Sequence, residues 1–165
     1  MRVGDELPPL EIEITRTLIV AGAIASRDYQ DVHHDAELAR QKGSPDIFMN
    51  ILTTNGLVGR YITDHFGPTA VLRRVAIRLG APNYPGDTMV LTGTVEEVED
   101  EEVEDAEGAA DLEGDDAAER EGDEGDEAAG KTVTVRVVGA NGIGKHVTGT
   151  VTLTVPGGAD GVGRP

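Results

Sequence analysis

Charged and apolar residues alternate along Glu11-Ile12-Glu13-Ile14-Thr15, the pattern of a strand with one buried face. The next apolar positions follow a helical spacing. Leu18 to Ala25 predicts a short apolar helix, with Thr17 as its expected N-cap and Arg27-Asp28 as its end. Tyr29 to His33 reads as loop, and Asp35 is placed to cap a second short helix, Ala36 to Gln41, stopped by Gly43. After Pro45-Asp46, the residues Ile47, Phe48, Ile51, Leu52, Leu57, Val58, Tyr61 and Ile62 fall nearly all round a helical wheel. They predict one long helix from Ile47 to Phe66, buried on most sides and ended by Gly67-Pro68. Gly56 and Gly59 each cost about 1 kcal/mol of helix propensity relative to alanine, which predicts close approach of another element there.

The chain then changes period. Val71, Arg73, Val75, Ile77 and Leu79 fall on one strand face, and Arg74, Ala76 and Arg78 on the other. A turn cluster over Asn83 to Asp87 precedes a strand from Thr88 to Val95. Further strands are expected from Lys131 to Val138 and from Val147 to Val155, with Asn141-Gly142 as the hairpin turn between them. This order predicts an α+β domain, an antiparallel sheet wrapped around one long central helix. Its exposed sheet edge invites pairing with a second copy or a relative.

Charge refines the domain organisation. The chain has 165 residues and a net charge of -17, yet Glu96 to Ala129 holds 19 acidic residues and one basic one, so the remainder carries +1. With almost nothing to bury, residues 97–130 read as a disordered acidic insert in a single domain spanning 1–156, and the Gly-rich residues 157–165 read as a flexible tail. Extending a hairpin turn by such a length adds only about 2 kcal/mol of closure entropy, so the fold can carry it. The segment has no calcium-loop spacing. Its charge argues against a nucleic-acid partner, which needs a basic patch. There is no cysteine, hence no disulfide framework and no thiolate metal site. No basic start leads into an apolar stretch and no run is long enough for a bilayer, so the expected location is the cytoplasm, away from membranes.

The candidate chemistry lies in Ala25-Ser26-Arg27-Asp28-Tyr29-Gln30-Asp31-Val32-His33-His34-Asp35, where Asp28 and His33 stand five residues apart. An Asp after a helix is often only a cap or turn residue, and a lone His is often a packing residue. His34 and Asp35 beside them suggest at most a weak metal site, because adjacent residues rarely face one ion.

Two motifs here resemble those of the MaoC-type hot dog enoyl-CoA hydratases. The family motif runs small residue, Gly, Asp, spacer, Asn-Pro, aliphatic, His, then a small residue six positions on. Asp28, Val32, His33 and Ala39 match it in type and spacing, whereas Arg27, Gln30 and Asp31 replace its Gly, Asn and Pro. Tyr84-Pro85-Gly86-Asp87-Thr88 matches the family's Pro-Gly-Asp-Thr overhang before a strand. The resemblance covers residues 5–95 and 131–156 and implies hydration of an enoyl-CoA. Asp28 would be the base, and His33 would hold the same water and help move the proton. A backbone N–H of Met49 or Asn50, at the start of the long helix, would meet the thioester oxygen, and Arg74, with Arg73 and Arg78, would be available to the phosphates of CoA. No metal is implied, and no cofactor beyond the CoA thioester that is the substrate. The altered motif and the DIFMNIL start of the long helix are most similar to the small catalytic subunit of the actinobacterial steroid side-chain hydratases. That implies a steroid acyl group and a second MaoC-like chain as partner, with a homodimer as the other arrangement. A thioesterase of the same fold would carry its carboxylate on the long helix, where only Asp46 and Asp64 stand near the ends. A non-catalytic supporting subunit would not need both Asp28 and His33. A third alternative makes the acidic insert the functional part of an interaction module.

Overall fold

The computed structural model describes residues 1–100 and 130–157; most of the acidic segment and the end of the tail lie outside these. The elements are β1 (Glu6–Glu13), α1 (Arg16–Ala25), a 3-10 turn (Asp31–His33), α2 (Ala36–Gln41), α3 (Ile51–Phe66), β2 (Val71–Leu79), β3 (Thr88–Asp100), β4 (Lys131–Ala140) and β5 (Lys145–Val155). The five strands form one antiparallel sheet in the order β1-β3-β4-β5-β2, and α3 packs against it. This is the α+β arrangement expected from the hydrophobic pattern. Val133, Val135 and Val137 of β4 and Val151 and Leu153 of β5 are fully buried, while the threonines between them face outward. On α3 the sheet-facing residues are Thr54, Val58, Tyr61 and Ile62, at helical spacing.

Four expectations change in detail. α1 starts earlier than expected: Thr15, not Thr17, is the N-cap, its hydroxyl accepting the Leu18 N–H at 3.0 Å. Residues 29–33, read as loop, end in the 3-10 turn. The long helix starts at Ile51 rather than Ile47, with Asn50 as its cap. Residues 47–50 stay out of the helix because tertiary partners hold the backbone at two of them, Phe48 N–H donating to Val32 O and Met49 N–H to Asn83 O, both at 3.1 Å. Nor is α3 buried on most sides. Ile51 and Leu52 are about half exposed at 47% and 49%, and nothing lies within 4 Å of an added Cβ at Gly56. The part of the wheel they occupy has no partner among the described residues.

β2 departs from simple alternation as well. Its register against β5 shifts between Leu72 and Arg74, so Leu72 pairs with Leu153, Arg74 with Thr152 and Val75 with Val151. The bulge places Leu72, instead of Val71 and Arg73, on the core face with Val75, Ile77 and Leu79. Leu72 Cδ1 reaches Gly59, 3.4 Å from where a Cβ would stand, an ordinary van der Waals distance to a flexible side chain, so the close approach expected at Gly56 and Gly59 is not found among the described residues. β3 continues to Asp100, paired with Lys131, so the ordered hairpin runs four residues beyond the expected start of the insert.

The two sheet edges are not equivalent. β1 carries Pro8-Pro9 at its own register shift, and proline cannot donate to a neighbouring strand. β2 has no proline and exposes Val71 and Leu72. It is the edge suited to pairing with another chain.

α3 is tied to β5 by a buried imidazole. His146 of β5 meets Ala81 O through Nδ1 at 2.7 Å and Thr54 Oγ through Nε2 at 2.8 Å. Burial pushes this imidazole below the ordinary 6.5, against the Ala81 carbonyl and the Asp87 charge. Below that value the unfolded chain binds a proton that the folded chain resists, so stability should fall as pH drops below about 6.5 and level off above it. The limiting slope is about 1.4 kcal/mol per pH unit for one group. Burial lowers His65 too, adding in the same direction. Urea unfolding between pH 5 and 8 should therefore show a slope that His146→Gln reduces; an unchanged slope would exclude His146 as its source.

Candidate active site

α1 ends in a Schellman turn that sets the position of Asp28. Ser26 is the C-cap, the Arg27 N–H donates to Ile24 O at 3.0 Å, and the Asp28 N–H donates to Ala23 O at 2.9 Å. The turn requires Arg27 to adopt φ 57°, and it is the only non-glycine residue with positive φ among the described residues. The resembling motif has Gly at this position. Arg27→Gly should thus raise stability by up to about 1 kcal/mol by relieving the left-handed backbone, read as a higher urea midpoint; a lower midpoint would contradict the strain argument.

His33 closes the 3-10 turn and is buried, at 5% exposure. Its Nδ1 lies 2.7 Å from Phe48 O and its Nε2 lies 3.3 Å from Asp28 Oδ2. A carbonyl can only accept, so Nδ1 carries a proton that it donates to Phe48 O. Nε2 then holds a second proton only as imidazolium, and otherwise presents its lone pair beside the carboxylate. The Phe48 ring packs edge-on against His33 with centroids 5.1 Å apart, and Tyr84 of the overhang packs edge-on against Phe48 at 6.4 Å. The second motif thereby buttresses the first. The overhang is itself held by Asp87, whose carboxylate accepts the Tyr84 N–H at 2.7 Å, and by paired bonds between its backbone and Ile14.

Asp28 and His33 are thus brought together. Asn50 joins them, 2% exposed, with its Nδ2 3.1 Å from Asp28 Oδ2 and 2.9 Å from Ser26 Oγ. The sequence drew attention only to its backbone N–H; the side-chain contact was missed because the helix start was placed at Ile47. An Asn directly before an apolar helical run is itself an N-cap signal that would have found it. Of the two candidate backbone donors, Met49 N–H is already bonded to Asn83 O, while Asn50 N–H has no partner among the described residues. Arg74 is not brought to the dyad. It sits exposed on β2 opposite Thr152, on the sheet face turned away from α3, without an ion pair among the described residues.

Several neighbours are already committed elsewhere. Asp35 Oδ1 caps α2, accepting the N–H groups of Glu37 and Leu38. Asp46 is bidentate to Arg16 at 2.7 and 3.0 Å; that hydrogen bonding, with the Ile47 N–H, holds its carboxyl down to about 2. Asp64, near the end of α3, is exposed and paired with Arg60. Among the described residues no group of three potential ligands is placed to hold a metal ion. No helix among them is long and apolar enough to cross a membrane. An open cleft of about 410 Å³ runs along α1, lined by Arg16, Thr17, Val20, Ala21 and Ile24.

The chain is 40% identical over 153 residues to the 3-oxo-4,17-pregnadiene-20-carboxyl-CoA hydratase beta subunit of Mycobacterium tuberculosis, a match covering 93% of this chain and 95% of that protein. The crystal structure of the ChsH1-ChsH2 complex from the same organism superposes with a TM-score of 0.71 at 40% identity, covering 93% of this chain and 98% of that one. The (R)-hydratase from A. caviae involved in PHA biosynthesis superposes at 0.68 with 16% identity, covering 94% and 98% of the two chains, which shows the shared hot dog fold. Residues 2–117 match the model of the MaoC-like domain, and the chain belongs to that family.

Proposed function

We propose that this chain is an enoyl-CoA hydratase that adds water across the α,β double bond of a steroid side-chain acyl-CoA, with Asp28 as the base. The observation that carries the reading is the buried contact of 3.3 Å between His33 Nε2 and Asp28 Oδ2 at the mouth of the long helix. Water held between the dyad and the substrate attacks the β-carbon while Asp28 takes one of its protons. The electron pair of the double bond moves toward the thioester, and the enolate oxygen is met by the Asn50 N–H at the positive end of α3. A proton from the dyad then reaches the α-carbon, His33 passing it on, so that one water is added and the dyad returns to its starting state. The exposed Arg74 guanidinium is available to the adenosine phosphates.

The steroid assignment is supported by the 40% identical relative, whose name specifies a pregnadiene carboxyl-CoA. The apolar cleft along α1, the helix whose C-terminal turn leads into Asp28, is large enough for a bulky group. A second MaoC-like chain is the partner favoured by the two-component complex that this chain resembles. The open β2 edge and the exposed Ile51 and Leu52 supply surface for it. A cytoplasmic location, where CoA thioesters are handled, goes with this activity, and the domain is read as 1–156 with an insert after β3. The thioesterase alternative loses support because Asp64 is exposed and ion-paired and Asp46 lies outside α3, locked to Arg16.

The test is hydration of a steroid enoyl-CoA and of crotonyl-CoA by the protein purified with whatever chain accompanies it, beside the Asp28→Asn variant. Faster turnover of the steroid thioester, lost in the variant, is the expected result. Turnover of neither thioester would reject the reading.

A further inference from the structure

We propose that the Asn50 carboxamide positions the base, pinning one oxygen of Asp28 so that the other is presented to water. The inference rests on the reading of Asp28 as the base. Each polar atom of this buried side chain is engaged in one consistent way. Oδ1 accepts the Thr53 N–H at 3.0 Å, so turning the amide over would set two donors against each other. Nδ2 uses its two hydrogens on Ser26 Oγ and Asp28 Oδ2. Ser26 Oγ donates its own hydrogen to Gly22 O at 2.7 Å, which leaves it an acceptor for Asn50. The end of α1 and the start of α3 are therefore locked together through one amide.

The consequence falls on the carboxylate. Oδ2 of Asp28 meets both Asn50 Nδ2 and His33 Nε2, whereas among the described residues Oδ1 meets only the Gln30 N–H, at a long 3.4 Å. A free Asp carboxylate turns readily about its last torsion. Here that turn would break the contact with Asn50, so the Oδ1 lone pairs stay directed at the space beside the dyad. His33, from the 3-10 turn, is the ionisable side chain in contact with Asp28 among the described residues.

Asn50 is also the N-cap of α3, and the test has to separate the two roles. Asp and Ser cap a helix about as well as Asn. Asn50→Ser keeps the cap but lacks the reach and the amide donor, and should lower kcat about tenfold or more with KM within about twofold of the native value. Asn50→Asp keeps the cap and sets a second carboxylate beside Asp28. It should lower kcat further at neutral pH and move the acid limb of the kcat profile to higher pH, because like charges disfavour the ionised base. The double variant Asn50→Ser, Asp28→Asn should be no slower than Asp28→Asn alone, since a positioning group has nothing left to position. All are measured by hydration of crotonyl-CoA or the steroid enoyl-CoA, beside the thermal midpoint, in the protein with its accompanying chain. The proposal is overturned if both single variants keep the native kcat and pH profile, or if their activity per folded molecule is native and only the midpoint falls. Independent, multiplying losses in the double variant would overturn it too. If Asp28→Asn is inactive while the Asn50 variants match the native protein, the positioning role alone fails. If Asp28→Asn retains turnover, the dyad reading fails and takes this one with it.

Discussion

Asp28→Asn should reduce kcat by about a thousandfold or more while leaving KM and the unfolding midpoint nearly unchanged. The substitution keeps the size of the side chain and removes its capacity to take a proton from water. Asp28 follows the helix in a Schellman turn made by backbone atoms, so the turn does not need the carboxylate. Substrate affinity comes mainly from the acyl and CoA portions, which do not touch this group in the proposed chemistry. The loss should therefore appear in the step that the base serves. His33→Gln should be similarly slow, and the pair together little slower than either, because groups acting as one unit lose their function once. Steady-state hydration kinetics of the three variants check this. Native turnover in Asp28→Asn would make the chain a supporting subunit and move the catalyst to its partner.

Gly149→Ala should cost about 3 kcal/mol or more, the largest stability loss expected from adding a single methyl at any of the described glycines. Gly149 stands in β5, paired on one side with Ile77 and on the other with Val137. An added Cβ would be driven into the Ala76 carbonyl oxygen and to within 2.8 Å of Ile77 Cα. These are backbone atoms held in the β2–β5 ladder, so they cannot give way as the end of a flexible side chain can. Gly56 is the matched control: it is helical, with nothing within 4 Å of an added Cβ. Gly56→Ala should raise the stability of the lone chain by about 1 kcal/mol through helix propensity. Urea unfolding of the two variants should move in opposite directions; equal shifts would refute the packing account of Gly149.

Helix caps show where sequence reading succeeds and where it stops. Asp35 before Ala36 was legible because its cap is local, the carboxylate reaching N–H groups two and three residues on. Asn50 carries the same local signal, yet residues 47–49 continue the apolar pattern and hid it. Only the fold shows that Val32 O and Asn83 O capture the backbone there. The bulge in β2 was likewise invisible, because Arg73 in strict alternation looks like any other strand residue until the register against β5 is known.

The sequence by itself determined the strand and helix periods, the mostly neutral domain around an acidic segment, and the spacing of Asp28, His33 and the Tyr84 to Thr88 overhang. These are properties of neighbouring residues, carried by local propensity and charge. The tertiary structure decided which groups meet. It set His33 Nδ1 on Phe48 O, brought the Asn50 amide to Asp28 across twenty-two residues of chain, kept Arg74 on the far face of the sheet, and left Ile51, Leu52 and Gly56 open on α3. Such contacts depend on how α1 and α3 pack and on the register of the sheet. No periodicity encodes them, because each is fixed by the simultaneous burial and hydrogen bonding of segments far apart in the chain.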